Sequence, residues 1–220
     1  MQRWHVSVLI SAQDMVESAC PPITIEINAQ PSTTQNSIMP PQPWKTLSTR
    51  EVYKNPWIRI REDVAEMPNG QTTLYGVCEF GQCVGVLPFV DDDHVLLVRQ
   101  YRYPARENHR WEMPTGGVHP GERLEEATQR ELMEEIGYRA DELTWLSSFH
   151  SSKSVCEETA HLYVGRGLVA ASALPDDTEF IERAIMPFDR VLELVMTSEI
   201  RDAMTMIAVL QAARLRNAHS

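Results

Sequence analysis

The sequence predicts an α+β domain with mixed strands and three main helices, on three observations. Residues 57–63, WIRIRED, alternate apolar and charged side chains with the period of two that a half-buried strand requires. Leu124, Thr128, Leu132 and Ile136 recur every four residues, which lines one face of a helix at ~100° per residue. Short apolar runs separated by turn residues then alternate with two further amphipathic stretches near the end of the chain.

Taken in order, residues 1–43 stand apart. CPPITIEINAQPSTTQNSIMPPQP is rich in Pro, Ser, Thr, Asn and Gln without periodicity, the composition of a flexible tail. From Trp44 the pattern becomes that of a folded chain. After the first strand, MPNG (67–70) carries Asn-Gly, a strong hairpin-turn signal, and TTLYGVCEF (72–80) is the returning strand. Residues 44–82 therefore read as an N-terminal strand and hairpin subdomain, and 83–217 as the main domain. CVGVLPFV (83–90), a DDD turn and HVLLVRQY (94–101) add two strands. A glutamate-rich helix over about 122–136 stops at Gly137, the residue best suited to a left-handed C-terminal cap. HLYVGRGLV (161–169) is another strand, and FDRVLELVM (188–196) and SEIRDAMTMIAVLQAARL (198–215) are amphipathic.

The bulk numbers exclude some functions. With 220 residues, 43% of them hydrophobic, the chain can bury a full core as one principal domain. A net charge of −11, from 31 acids and 20 bases, argues against a nucleic-acid surface, which needs a basic footprint. No run of 18 apolar residues exists to span a membrane. Cys20, Cys78, Cys83 and Cys156 show no CxxC spacing, so they suit thiols in a reducing cytoplasm better than a disulfide framework.

The crowding of carboxylates in the helix needs a reason, because like charges three or four residues apart repel by about 0.2–0.5 kcal/mol per pair. Glu131 and Glu135 lie one turn apart at the edge of the apolar stripe. Arg130 is spaced to neutralise Glu126 and Glu134, which leaves Glu131 and Glu135 without a partner on the helix. A hard cation with oxygen ligands relieves such a pair, although spacing alone leaves a solvated acidic face open.

The pattern as a whole says more. Gly116, Glu122 and the run Arg130-Glu131-Leu132-Met133-Glu134-Glu135-Ile136-Gly137-Tyr138 resemble the signature box of the Nudix hydrolases. Only the last position departs, with Tyr138 where an aliphatic residue is usual. The resemblance implies the Nudix fold, a mixed sheet sandwiched between helices, and hydrolysis of a nucleoside diphosphate linked to another moiety with Mg²⁺ or Mn²⁺. It implies Glu131 and Glu135 as metal ligands with the backbone carbonyl of Thr115, Glu134 as a ligand or supporting acid, and a structural Glu122–Arg130 pair.

Beyond the box, LLVRQYRYPARENHRWEMPTGGVHPGE, EETAHLYVGRGL and SEIRDAMTM look like the ADP-ribose pyrophosphatase group, over about residues 44–215. That likeness implies Arg102 and Glu112 as substrate-lining residues. It also implies Trp57 and Tyr75, placed on the two strands of the hairpin, as a nucleobase sandwich across a homodimer. Glu158, with Glu157 in reserve, becomes the catalytic base on the loop 150–161 that follows the box. One departure bears on the substrate: Ser152-Lys153-Ser154 stands where the group has a Ser-Pro-Gly turn. The expected reaction is Mg²⁺-dependent cleavage of ADP-ribose to AMP and ribose 5-phosphate. The rivals are a hydrolase of UDP-, GDP- or ADP-hexoses and a non-catalytic nucleotide-sugar sensor.

Overall fold

The computed structural model describes residues 42–108, 110–171 and 181–218. The expected tail, apart from its last two residues, and Cys20 lie outside them.

Among the described residues, ten strands and three α-helices follow one another as β1 (Lys45–Lys54), β2 (Arg59–Glu66), β3 (Thr72–Pro88), β4 (His94–Arg99), β5 (Tyr101–Arg102), β6 (Glu107–Asn108), β7 (Thr115–Gly117), α1 (Leu124–Glu131), β8 (Tyr138–His150), β9 (Cys156–Ala170), β10 (Glu182–Pro187), α2 (Phe188–Met196) and α3 (Ala203–Ala218). The main sheet runs β1-β2-β3-β9-β8, with β7 paired to the far end of β3; β4 pairs with β10 and β5 with β6. The β3–β9 pair is parallel and its neighbours are antiparallel, so the sheet is mixed.

Alternation along the central strands explains why helices cover both faces. Leu162 and Val164 of β9 and Leu97 of β4 point into one apolar cluster with Phe188, Val191 and Val209 from α2 and α3. Tyr163, Leu96 and Val98 point the other way, into a cluster with Ala127 and Leu132 from α1 and the turn after it. A strand buried on both faces carries apolar residues at consecutive positions, as CVGVLPFV and HVLLV do.

Several expectations need correction. The stretches 72–80 and 83–90 form one 17-residue strand rather than two. Gly81 adopts φ +83°, and the pairing with β9 shifts between Glu79 and Gly81. The glycine makes a bulge that bends the strand without ending it, and β3 runs unbroken through 82/83. The glutamate helix is α-helical only to Glu131, and residues 132–136 widen into a π-turn before Gly137 closes it at φ +77°. The last helix starts at Ala203, because Asp202 caps it by accepting from the amide and hydroxyl of Thr205 at 2.7 and 2.6 Å. Strands β1, β8 and β10 were not expected. All ten residues of β1 are exposed, and the β8 pairing slips between Trp145 and Ser147, so neither presents a clean apolar alternation.

Candidate active site

The site grows from the turn that joins β7 to α1. Arg130 holds this turn: its Nε and Nη2 donate to the two carboxylate oxygens of Glu122 at 2.9 and 3.0 Å, and Nη2 also donates to the carbonyl of Gly117 at 2.8 Å. The guanidinium, aided by the His119 amide, holds the Glu122 carboxyl down to about 2. A two-point grip of this kind fixes orientation as well as distance.

Glu131 does have a partner on its own helix, which corrects the expectation from spacing. Arg130 Nη1 lies 2.6 Å from Glu131 Oε1 and 3.0 Å from Glu134 Oε2. Arg130 does not neutralise Glu126, whose carboxylate instead accepts from the Arg123 amide at 3.3 Å as part of the helix cap. Glu122 draws the guanidinium toward the β7 side of the helix, where Glu131 lies. Glu131 and Glu135 are buried, at 8% and 3% exposure, whereas the Glu134 side chain is 41% exposed. The carboxylate of Glu131 lies flat on the backbone of Gly116, in the space any Cβ there would fill. Arg183 of β10 donates to the carbonyl of Glu135 at 2.6 Å and so ties down the π-turn.

Beside β7 opens a cleft of about 610 Å³, lined by Arg102, Glu112, Thr115, Gly116, Glu158 and Asp202 among others. Arg102 and Glu112 meet there as an ion pair, with Nη2 to Oε1 at 2.7 Å and Nε to Oε1 at 2.9 Å. Burial pushes the Glu112 carboxyl up, against the opposing pull of Arg102. Its backbone is fixed in both directions by Val98, at 2.8 and 2.9 Å.

Glu158 stands on β9 and not on a loop, a correction that follows from β9 beginning at Cys156. Adjacent strand residues face opposite ways. Glu157 accordingly reaches Arg61 at 3.0 Å and does not line this cleft, while Glu158 enters it. Cys83 shares the cleft, and burial first, then the Glu158 and Asp202 carboxylates, push its thiol up to about 12. Asp202 was missed as a cleft residue. Its signal was its place ahead of the apolar run of α3, which marks a cap.

The two aromatics do not come together within one chain. Tyr75 stands on β3, its hydroxyl donating to the Ser154 carbonyl at 2.7 Å and its ring edge-on to Trp44 at 6.1 Å. Trp57 lies in the β1–β2 turn and not on a strand, because the Asn55 side chain accepts from the amides of Trp57 and Ile58 and so makes a turn there. Tyr75 pairs with Asp63, four residues along β2 from Arg59, which follows that turn. Trp57 is 79% exposed. A second cleft, of about 320 Å³, runs beside Tyr75 and includes Lys153, Cys156, Glu157 and Glu158. Arg110 donates to the carbonyl of Glu199 at 2.8 Å and steadies the approach to α3.

Among the described residues no three Asp, Glu, His or Cys side chains are already gathered as a metal centre. The expected donors, the Glu131 and Glu135 carboxylates and the Thr115 carbonyl, are all oxygen, the chemistry a hard divalent ion takes, and the Gly116 cradle holds the first of these against the turn.

Comparison with known proteins agrees with this architecture. The NUDIX domain profile matches residues 79–206, and that of the nucleoside diphosphate sugar hydrolase N-terminal domain matches residues 44–77. A methanol dehydrogenase activator of Bacillus methanolicus is 32% identical over 167 residues, covering 75% of this chain and 90% of the relative. An ADP-ribose pyrophosphatase of Bacillus subtilis is 30% identical over the same shares. The ADP compounds hydrolase NudE of Escherichia coli is 28% identical over 58% of this chain and 68% of its own. A crystal structure of an ADP compounds hydrolase superposes with a TM-score of 0.74 at 23% identity, over 83% of this chain and 98% of that one, which speaks to the fold. The chain belongs to the Nudix hydrolase family. It is an enzyme of the pyrophosphatase class.

Proposed function

We propose that the protein hydrolyses the pyrophosphate bond of a nucleoside diphosphate sugar, with ADP-ribose as the first candidate, in a reaction that requires Mg²⁺ or Mn²⁺. Water adds to one phosphorus, the bridging oxygen leaves with the other, and the products are AMP and ribose 5-phosphate. The observation that carries the reading is the placement of buried Glu131 against Gly116 of β7, with Arg102, Glu112 and Glu158 in a cleft that Gly116 also lines. The names of the relatives in Bacillus subtilis and Escherichia coli support the substrate class.

In this reading Glu131, Glu135 and the Thr115 carbonyl hold the metal, with Glu134 beside them. Bound there, the ion would neutralise the pyrophosphate and make a water acidic enough to attack. Glu158 takes the proton of the attacking water. Arg102, already fixed by Glu112, offers its remaining donors to a phosphate. Tyr75 stacks on the base, and Trp57 reaches the partner's base across a homodimer formed through β1, β2 and β3. The exposed apolar side chains Leu47, Val52, Tyr53, Trp57 and Leu74 support that interface. The free thiols of Cys78, Cys83 and Cys156 support a cytoplasmic location.

Lys153 beside Tyr75 favours a second reading, a hexose-bearing substrate whose extra hydroxyls an ammonium can meet. One experiment decides both. Purified protein is offered ADP-ribose, ADP-glucose, UDP-glucose and GDP-mannose, with Mg²⁺ and with EDTA, and the products are identified. Release of AMP from ADP-ribose, abolished by EDTA and by Glu135→Gln, is expected. Turnover insensitive to EDTA overturns the metal assignment, and a hexose preferred over ADP-ribose establishes the second reading.

A further inference from the structure

The parallel ladder between β3 and β9 sets two cysteines side by side. Cys78 and Cys156 are direct register partners, both half-buried and both free, and the Cys78 amide donates to the carbonyl of Val155 at 2.8 Å. Register partners on neighbouring strands project from the same face of the sheet, with backbones roughly 4.8 Å apart. That spacing falls inside the window of about 4.4–6.8 Å between the Cα atoms of disulfide-bonded cysteines. On β9, Cys156 and Glu158 are two residues apart and so share a face. We propose that Cys78 and Cys156 form a reversible redox site, whose disulfide clamps the start of β9 and displaces Glu158 from its working position. The consequence for turnover rests on the reading of Glu158 given above; the bond itself does not.

The chemistry balances with a hydroperoxide as oxidant. The thiolate of one cysteine attacks the peroxide, the O–O bond breaks, and a sulfenic acid and a water or alcohol result. The second thiol displaces that hydroxyl as water and closes the S–S bond, so the two sulfurs give up two electrons between them. A dithiol reverses the bond by exchange. Two features single out this pair. Cys83, whose thiol is pushed up to about 12, supplies almost no thiolate and is the natural bystander. The parallel side chains start with their Cβ atoms near the strand spacing of roughly 4.8 Å, and a disulfide brings them to about 3.8 Å, so closure draws the two Cβ atoms together by about 1 Å while the Cα atoms stay within the usual range. Strain of that kind makes a disulfide easy to reduce, the property of a regulatory bond. A displacement of about 1 Å at a reacting group costs up to roughly 100-fold in rate.

The test treats full-length reduced protein with hydrogen peroxide and reads two things on the same sample. Peptide mapping under non-reducing conditions is expected to show Cys78 linked to Cys156, with Cys83 still a thiol. Turnover of ADP-ribose is expected to fall about 10–100-fold and to return with dithiothreitol. Cys78→Ser, with Cys78→Ala as a second variant should the first fold poorly, is expected to keep basal turnover and resist the reversible loss. Linkage of either cysteine to Cys20 or Cys83, or no linkage at all, overturns the site. A mapped Cys78–Cys156 bond with unchanged turnover overturns its control over Glu158. A protein inactive on every nucleotide substrate fails the functional reading, while the peptide map still decides the bond.

Discussion

The carboxylate of Glu131 fills the space that a side chain at Gly116 would occupy. The glycine is therefore required by packing and not by its own backbone angle, since Gly116 is not among the residues with positive φ. Gly116→Ala is expected to push Glu131 off the turn and lower turnover by about 100-fold, with little loss of secondary structure. The measurement is kcat with a Mg²⁺ titration alongside circular dichroism. Normal turnover in a folded variant would show that the position of Glu131 is unimportant.

The Glu122–Arg130 pair should leave a mark on the acid stability of the fold. The Glu122 carboxyl is lowered to about 2 by Arg130, so its stabilising contribution is fully present above about pH 4.3, the value of an unperturbed glutamate. It is lost as pH falls from there through about 2. Glu122→Gln removes the contribution at neutral pH but has nothing left to remove near pH 2. Urea midpoints of wild type and variant are thus expected to differ at pH 7 and to converge at the acid end. A constant gap across that range would mean that the pair stabilises through packing and not through charge.

Arg102 and Glu112 should behave as a coupled pair with two separable effects. Burial raises the Glu112 carboxyl, and Arg102 is what opposes that rise. Arg102→Ala leaves Glu112 to ionise in a buried place with no guanidinium beside it. The destabilisation is expected to be small at pH 4, where the carboxyl is largely protonated. It should grow as pH rises past the ordinary carboxylate range. Adding Glu112→Gln should restore the melting temperature at pH 8 but leave KM for the nucleotide elevated. Restoration of KM by the double variant would remove Arg102 from substrate binding.

The exposed face of β1, β2 and β3 is expected to pair with a second copy of the chain. Every residue of β1 is exposed, and Trp57 is 79% exposed at its turn. An edge strand bare on both faces is a template for pairing. Light scattering should give twice the 25.1 kDa chain mass at micromolar concentration. Trp57→Ala is expected to raise KM more than it lowers kcat. A fully active monomer would exclude the interface.

How much of this was legible in the residues varies with the kind of information involved. The helix and its closure at Gly137 could be read because a four-residue apolar repeat and a glycine stop are local signals. The widening into a π-turn at Leu132 was not, because it follows from how Glu135 is tied down by Arg183, 48 residues away. Strand β8 was hidden by its slipped pairing and polar faces, and β1 by having no buried face at all. The pairing of Glu131 with Arg130 was missed because helix geometry alone puts neighbours one apart on different sides; the pull of Glu122 decides the direction of Arg130. Register between distant strands is likewise invisible in sequence. For that reason Cys78 and Cys156 looked scattered.

Glu157 and Glu158 give the sharpest test, because they differ only in the face of β9 they occupy. Glu158 lines the cleft with Thr115 and Arg102, while Glu157 is 66% exposed in its side chain and bound to Arg61. Glu158→Gln keeps the shape and removes the proton acceptor, so kcat is expected to fall by ~10²–10⁴ with KM little changed. The variant should also lose the acid limb of the pH–rate profile, which a merely structural glutamate would not control. Glu157→Gln breaks only an exposed ion pair of about 0.2–1 kcal/mol and should leave kcat near normal. If Glu157→Gln proves the more damaging, the base acts from the Arg61 side of the strand. If neither change matters, the attacking water is activated by the metal and the glutamates of α1, and β9 serves only as a wall.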